Sequence, residues 1–100
     1  MIKEIYIKGI YKNNKKKEVH IQSLKDGNDF TLVQINTLAL LIYTQLKPIK
    51  EKFKYIEIDF YINDKLFHTN KYYAHDILDQ DTDKVAREII ELYKYYADRI

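Results

Sequence analysis

The chain has no cysteine, no tryptophan, one proline and two glycines among its 100 residues. Without cysteine there is no disulfide framework, no zinc–thiolate site and no thiol nucleophile. Gly9 and Gly27 are too far apart to build a phosphate-binding loop, which needs clustered glycines so that backbone N–H groups can approach the anion. Ser23 is the only serine, and neither flanking glycines nor a suitably spaced histidine accompany it, so no nucleophile motif is present. The longest apolar run, Leu38 to Tyr43, is far short of the ~20 residues that cross a bilayer. Lys3, Glu4 and Lys8 interrupt the region where a signal peptide would be continuously apolar. The expectation is a cytoplasmic protein with no membrane partner and no cofactor.

What is present can fold. Hydrophobic residues make up 46% and charged residues 32%, which is too apolar for a disordered tail and too charged for a membrane protein. The length fits one domain, 1–100. Net charge is +2, which does not by itself announce a nucleic-acid binder. Lys outnumbers Arg by 15 to 2, and Ile, Lys, Tyr and Asn together supply 46 residues. All four have AT-rich codons, so the composition points to an AT-rich genome such as that of a low-GC bacterium or its phage. Ten tyrosines offer large faces with polar tips, suited to half-exposed strands and contact surfaces.

Hydropathy alternates along residues 2–11, with Ile5 and Ile7 on one side and Glu4, Tyr6 and Lys8 on the other, as in a half-buried strand. Gly9 marks a candidate bulge. Asn13-Asn14 and the lysines after them predict a hairpin tip, with a return strand over about 18–24 carrying Val19 and Ile21 inward. Asp26-Gly27-Asn28-Asp29 reads as a turn. Thr31 and Gln34 have capping-box spacing ahead of a helix with Leu32, Ile35, Leu38, Ile42, Leu46 and Ile49 on its stripe. Leu40 and Leu41 widen that stripe, so this helix is expected to be central. Pro48 should end it near Leu46.

Residues 54–62 alternate most clearly, with Ile56, Ile58 and Phe60 opposite Tyr55, Glu57, Asp59 and Tyr61. Asn63-Asp64 predicts a two-residue turn. In the return strand 66–73, simple alternation puts Phe67, Thr69 and Lys71 on the Ile58/Phe60 side, and Leu66, His68 and Tyr72 with Tyr55, Asp59 and Tyr61. An Asp-rich loop over 74–81 leads to a final helix, about Thr82 to Asp98, capped by Asp81 or Thr82. Its buried stripe is expected to be Val85, Ile89, Leu92, Tyr93, Tyr96 and Ile100. The fold class is therefore α+β, ββαββα: a four-stranded, mostly antiparallel sheet with two helices on one face. The halves, about 1–50 and 51–100, align as patterns near an offset of 51, consistent with an internal ββα duplication.

Chemical motifs are sparse. Asp79, Asp81 and Asp83 have the spacing of a calcium loop's first ligands, but Lys84 and Ile90 stand where the glycine and the bidentate glutamate are needed. His20, His68 and His75 lack zinc-site spacing, and no metal site is expected. Glu57 and Asp59 could form an acid–base pair only with a histidine such as His68 beside them, which keeps a small hydrolase as a third reading. Lys12, Lys15, Lys16 and Lys17 form a basic patch, and Asp76, Asp79, Asp81 and Asp83 an acidic one, two opposed patches suited to electrostatic steering. The favoured reading is a non-enzymatic protein-binding module, an inhibitor or regulator from a phage or mobile element: a defence-system inhibitor, an immunity protein or an antitoxin. Its expected contact residues are Tyr55, Asp59, Tyr61, His68 and Tyr72. The alternative is a nucleic-acid-binding domain using the Lys12–Lys17 hairpin. A homodimer through an edge strand or Tyr93, Tyr95 and Tyr96 is a further expectation.

Overall fold

In the computed structural model the described residues are 1–23 and 29–100. The turn read at Asp26-Gly27-Asn28 and the end of the second strand at Leu24 lie outside them. The elements run β1 (Lys3–Tyr11), β2 (Lys16–Gln22), α1 (Leu32–Leu41), a π turn (Ile42–Leu46), a 3-10 segment (Lys47–Lys52), β3 (Phe53–Ile62), β4 (Lys65–Tyr73), α2 (Ala74–Leu78) and α3 (Thr82–Ala97). The strands form one sheet in the order β2-β1-β3-β4, and every neighbouring pair is antiparallel. The α+β class and the ββαββα order hold, with one short helix more than the pattern predicted.

The two hairpins share a register. Adding 51 to both members of Glu4↔Gln22 gives Tyr55↔Tyr73, and Ile7↔Val19 becomes Ile58↔Asn70. The same shift carries Ile7 onto Ile58, its own partner across β1 and β3. Each turn is built by residues that accept left-handed angles: Asn14 in the first, Asn63 and Asp64 in the second. Two consecutive positive φ values match a hairpin turn whose twist suits the strands. The Asn63 side chain also accepts from the Ile2 amide at 2.9 Å, tying the second turn to the start of β1.

One face of the sheet carries Ile5, Ile7, Val19, Ile21, Ile56, Ile58 and Phe60, all buried beneath the helices. Tyr93 of α3 sits at the centre, with its ring edge-on to Phe60 at 5.2 Å and to Phe67 at 5.3 Å. Its hydroxyl donates to the Tyr61 carbonyl at 2.6 Å, and burial pushes the phenol well above its usual pKa.

The capping box forms as read, since Thr31 and Gln34 satisfy each other's backbone amides. The regular α-helix stops at Leu41, before the expected Leu46, and a π turn carries the chain on to Leu46 and into the 3-10 segment. α1 is not the central helix. Leu32 and Leu40, read as part of its buried stripe, are 69% and 61% exposed. In α3, Asp81 is the cap, and Ile100 lies beyond the helix, exposed rather than buried. The Asp-rich loop contains α2, which buries Ala74 and Leu78.

Gly9 is not itself the bulge. The β1·β3 register shifts one residue later, between Ile10 and Tyr11. Glycine is required there because a Cβ would lie 2.5 Å from the buried Phe53 ring. Gly9→Ala should therefore lower stability by about 1–3 kcal/mol through overpacking. Urea denaturation measures this, and an unchanged midpoint would show that Phe53 can move aside.

Candidate functional site

The other face of the sheet is bare of helices, and strand pairing arranges it in four rows. From β2 to β4 these are Gln22–Glu4–Tyr61–Leu66, His20–Tyr6–Asp59–Thr69, Glu18–Lys8–Glu57–Lys71 and Lys16–Ile10–Tyr55–Tyr73. Tyr55, Asp59 and Tyr61 are here, as alternation predicted. His68 and Tyr72 are not. The β3·β4 register shifts between Phe60 and Tyr61, leaving Phe67 as an extra residue. Phe67 and His68 then both turn toward Phe60, and the alternation beyond them is inverted. His68 stacks on Tyr96 of α3, Tyr72 packs against the core, and Thr69 and Lys71 move to the bare face.

This face holds two carboxylates that are almost wholly covered by their neighbours. Glu4 is 7% exposed and Asp59 3%. Glu4 is hydrogen-bonded to His20 Nε2 at 2.7 Å and accepts from the Tyr6 hydroxyl at 3.3 Å. The His20 ring stacks on Tyr6 at 4.3 Å, and Tyr6 meets Tyr61 edge-on at 5.2 Å. Burial, then the Glu4 charge, pushes the Tyr6 phenol above its usual range. Asp59 receives the Lys8 ammonium at 2.6 Å and the Thr69 hydroxyl at 3.0 Å, and Lys8 reaches Glu57 at 3.8 Å. The Glu57/Asp59 pair thus has a lysine as its partner and no imidazole: His68 is on the other face and His20 is bound to Glu4.

Tyr55 and Tyr73 stack at 5.6 Å at one end of the face. The ammonium groups of Lys71 and Lys54 lie 4.3 Å and 5.3 Å from the Tyr55 ring centre. Lys12, Lys15 and Lys16 are exposed at the same end, and the Lys12 amide donates to the Lys52 carbonyl at 3.3 Å.

Of the acidic residues, Asp79 reaches the Lys47–Lys52 segment. Lys50, two residues before Lys52, holds Asp79 at 2.7 Å, and His75 contacts both Glu51 and Asp79. The Lys50 ammonium holds the Asp79 carboxyl below its usual range. Asp81 accepts from the Asp83 amide as the cap of α3, while Asp76 and Asp83 sit in the first turns of α2 and α3. Among the described residues no three His, Asp or Glu side chains converge as metal ligands, and no helix is long and apolar enough to cross a membrane.

Compared with protein-family models, curated proteins and solved structures, the chain shows no significant match.

Sequence reasoning did not group Tyr6, Lys8, Glu4 and His20 with Tyr55, Asp59 and Tyr61, with which they share the bare face. Their side of the strand was visible in the alternation; their neighbours were set by β1 pairing with β3. The hydrogen bond to Asp59, with the charges of Asp59 and Glu57, holds the Lys8 ammonium above the ordinary lysine value of 10.5. Its contribution to stability is therefore whole below that value and is lost as pH rises through the raised one. Asp59→Ala, which leaves Lys8 only the Glu57 carboxylate at 3.8 Å, should cost about 1.5–3 kcal/mol at neutral pH. It should also reduce the part of the alkaline decline that Lys8 causes. Denaturation curves at neutral and alkaline pH check both effects, and a variant as stable as the parent at neutral pH would contradict the pairing.

Proposed function

We propose that the protein is a small protein-binding module, an inhibitor or regulator that grips its partner with the bare face of the sheet. The observation that supports this reading is the arrangement of Tyr6, Tyr61, Tyr55 and Tyr73 on a helix-free face whose two covered carboxylates already have partners. Tyrosine brings large contact area with little rotamer freedom to lose, and its hydroxyl adapts to polar groups opposite. Asp59 is already paired with Lys8 and Thr69, and Glu4 is already hydrogen-bonded to Tyr6 and His20, so both can enter an interface with partners in place. A phage or mobile-element setting, as the AT-rich composition implies, belongs to the same proposal. The test is affinity capture from the native host with mass spectrometry, followed by binding measurements on Tyr61→Ala and Tyr73→Ala. Each should weaken a stoichiometric partner by more than tenfold, about 2 kcal/mol, while the variant remains folded at the binding temperature. Normal binding by both variants would show that the partner uses another surface.

A second reading is nucleic-acid binding at the basic end. It is supported by the contact between Lys12 and Lys52, which sets the hairpin tip beside the Tyr55–Tyr73 stack and its lysines. Lysines would follow phosphates while the exposed Tyr73 ring stacks on a base. Binding to single-stranded DNA and RNA should then fall steeply with salt, and replacing Lys15, Lys16 and Lys17 by Ala should flatten the slope by about 0.7 per lost phosphate contact. No binding at low salt would remove this reading.

A further inference from the structure

The phase of the β1·β2 ladder decides which backbone groups of β2 face away from the sheet. The Ser23 amide donates to the Lys3 carbonyl at 2.8 Å, and the Tyr11 amide to the Lys15 carbonyl at 2.7 Å. Both pairs continue the register of Ile7 opposite Val19. Hydrogen-bonded pairs alternate with unbonded ones in an antiparallel ladder. Ile5↔Ile21, Ile7↔Val19 and Gly9↔Lys17 are therefore the bonded pairs. The N–H and C=O groups of Lys16, Glu18, His20 and Gln22 point outward. Gln22 agrees with this phase, because its carbonyl accepts from Gln34 Nε2 of α1. Among the described residues no protein group bonds to the outward amides and carbonyls of Lys16, Glu18 and His20. On β4 the register shift at Phe60/Tyr61 and the start of α2 after Tyr73 leave a shorter regular edge.

The two sides of this free edge differ. On the helix side, α1 and the π turn run beside β2. Leu41 lies two turns beyond Gln34 on the same line of α1 and is only partly buried. From Phe30 to Leu46 the chain carries no charged side chain. At the hairpin end, Lys12, Lys15, Lys16 and Lys17 gather with Glu18 as the one carboxylate in that run. Lysine–carboxylate ion pairs among the described residues use Lys3, Lys8, Lys50 and Lys84, and none of these four.

We infer that an extended segment of the protein partner adds antiparallel to β2 as a fifth strand, apolar where it faces α1 and acidic where it passes the lysines. The inference rests on the protein-binding reading and adds an edge contact beside the bare face. The new strand begins opposite His20, because Gln34 already occupies the Gln22 carbonyl. Its residues opposite Lys16, Glu18 and His20 exchange backbone hydrogen bonds and turn their side chains to the bare face. The residues between them point toward the Gln34–Leu41 line. Main-chain bonds supply affinity in such an addition, and side chains supply selectivity. Lysines on an edge ordinarily deter strand pairing. An acidic tail removes that deterrent for one class of partner and leaves it in force against neutral or basic strands.

The probe is the peptide acetyl-Thr-Val-Thr-Val-Glu-Glu-Glu-amide, followed by NMR up to about 1 mM, where weak strand addition is still visible. Its first threonine is placed opposite His20 and its first glutamate opposite Lys16. Amide signals of Lys16, Glu18 and His20 should shift and exchange more slowly with solvent, whereas those of Lys17 and Val19, already bonded to β1, should change little. N-methylation of the second threonine, whose amide faces Glu18, should abolish the response. N-methylation of the second valine, whose amide faces solvent, should preserve it. Both changes are made in the peptide, so folding of the protein is not at issue. A peptide with lysine in place of glutamate should not bind. No shift at these amides, equal binding by the two methylated peptides, or equal binding by the lysine peptide would overturn strand addition. So would shifts confined to Tyr6, Tyr61 and Tyr73. Oligo(dT) shifting the lysine amides where the peptide shifts none would assign this edge to nucleic acid instead. A silent edge, with a captured partner still weakened by Tyr61→Ala and Tyr73→Ala, would remove this contact and leave the proposed function standing.

Discussion

Antiparallel pairing of β1 with β3 joins two hairpins, each with an apolar face that one helix alone covers poorly. At about fifty residues, neither ββα half has the core volume to be stable by itself. Joined through Ile5↔Phe60, Ile7↔Ile58 and Gly9↔Ile56, they present one continuous apolar surface, and α1 and α3 pack on that side. The other side follows from the same pairing. It brings Lys8 to Asp59 and Tyr6 to Tyr61, contacts that neither hairpin could make alone. Core and candidate site are the two faces of a single strand pairing.

Much of this was legible in the residues. The strict alternation in β1 and β3 marked which side of each strand is apolar, and Thr31 with Gln34 marked where α1 begins. Asn63-Asp64 located the second turn. The side of the sheet was read correctly for Tyr55, Asp59 and Tyr61 and incorrectly for His68 and Tyr72, for one physical reason. Period-two reasoning assumes an unbroken ladder, and Phe67 is an extra residue in it. Tyr93 offers an edge-on aromatic contact to both Phe60 and Phe67, so the bulge feeds a second aromatic ring into the core. Nothing local in Leu66-Phe67-His68 announces this, because the contact that rewards it comes from a helix about 25 residues later.

The hydrophobicity of α1 was read less well, for a reason of position. The basic and aspartate-rich segments are far apart in sequence, yet the Lys47–Lys52 segment touches both, through Lys52 to the hairpin tip and Lys50 to Asp79. Asp79 is therefore partly offset by a lysine outside the basic hairpin. The wide apolar stripe of α1 predicted a central helix. The sheet has room for two helices side by side, so α1 buries Leu38 and Ile42 and leaves Leu40 and Tyr43 outside. The missed signal was the seventeen-residue absence of charge, which marks a second apolar side as clearly as it marks a core.

The sorting of polar residues between the two faces is the central claim, and His68 reports on it directly. In an NMR spectrum of the free protein, nuclear Overhauser effects should connect the His68 ring to the Tyr96 ring, which stacks on it at 3.5 Å. Thr69 should show contacts to Asp59 instead. Contacts from His68 to Asp59 or Tyr61, with none to Tyr96, would mean an unbroken ladder in β4 and would overturn the division of the sheet described above.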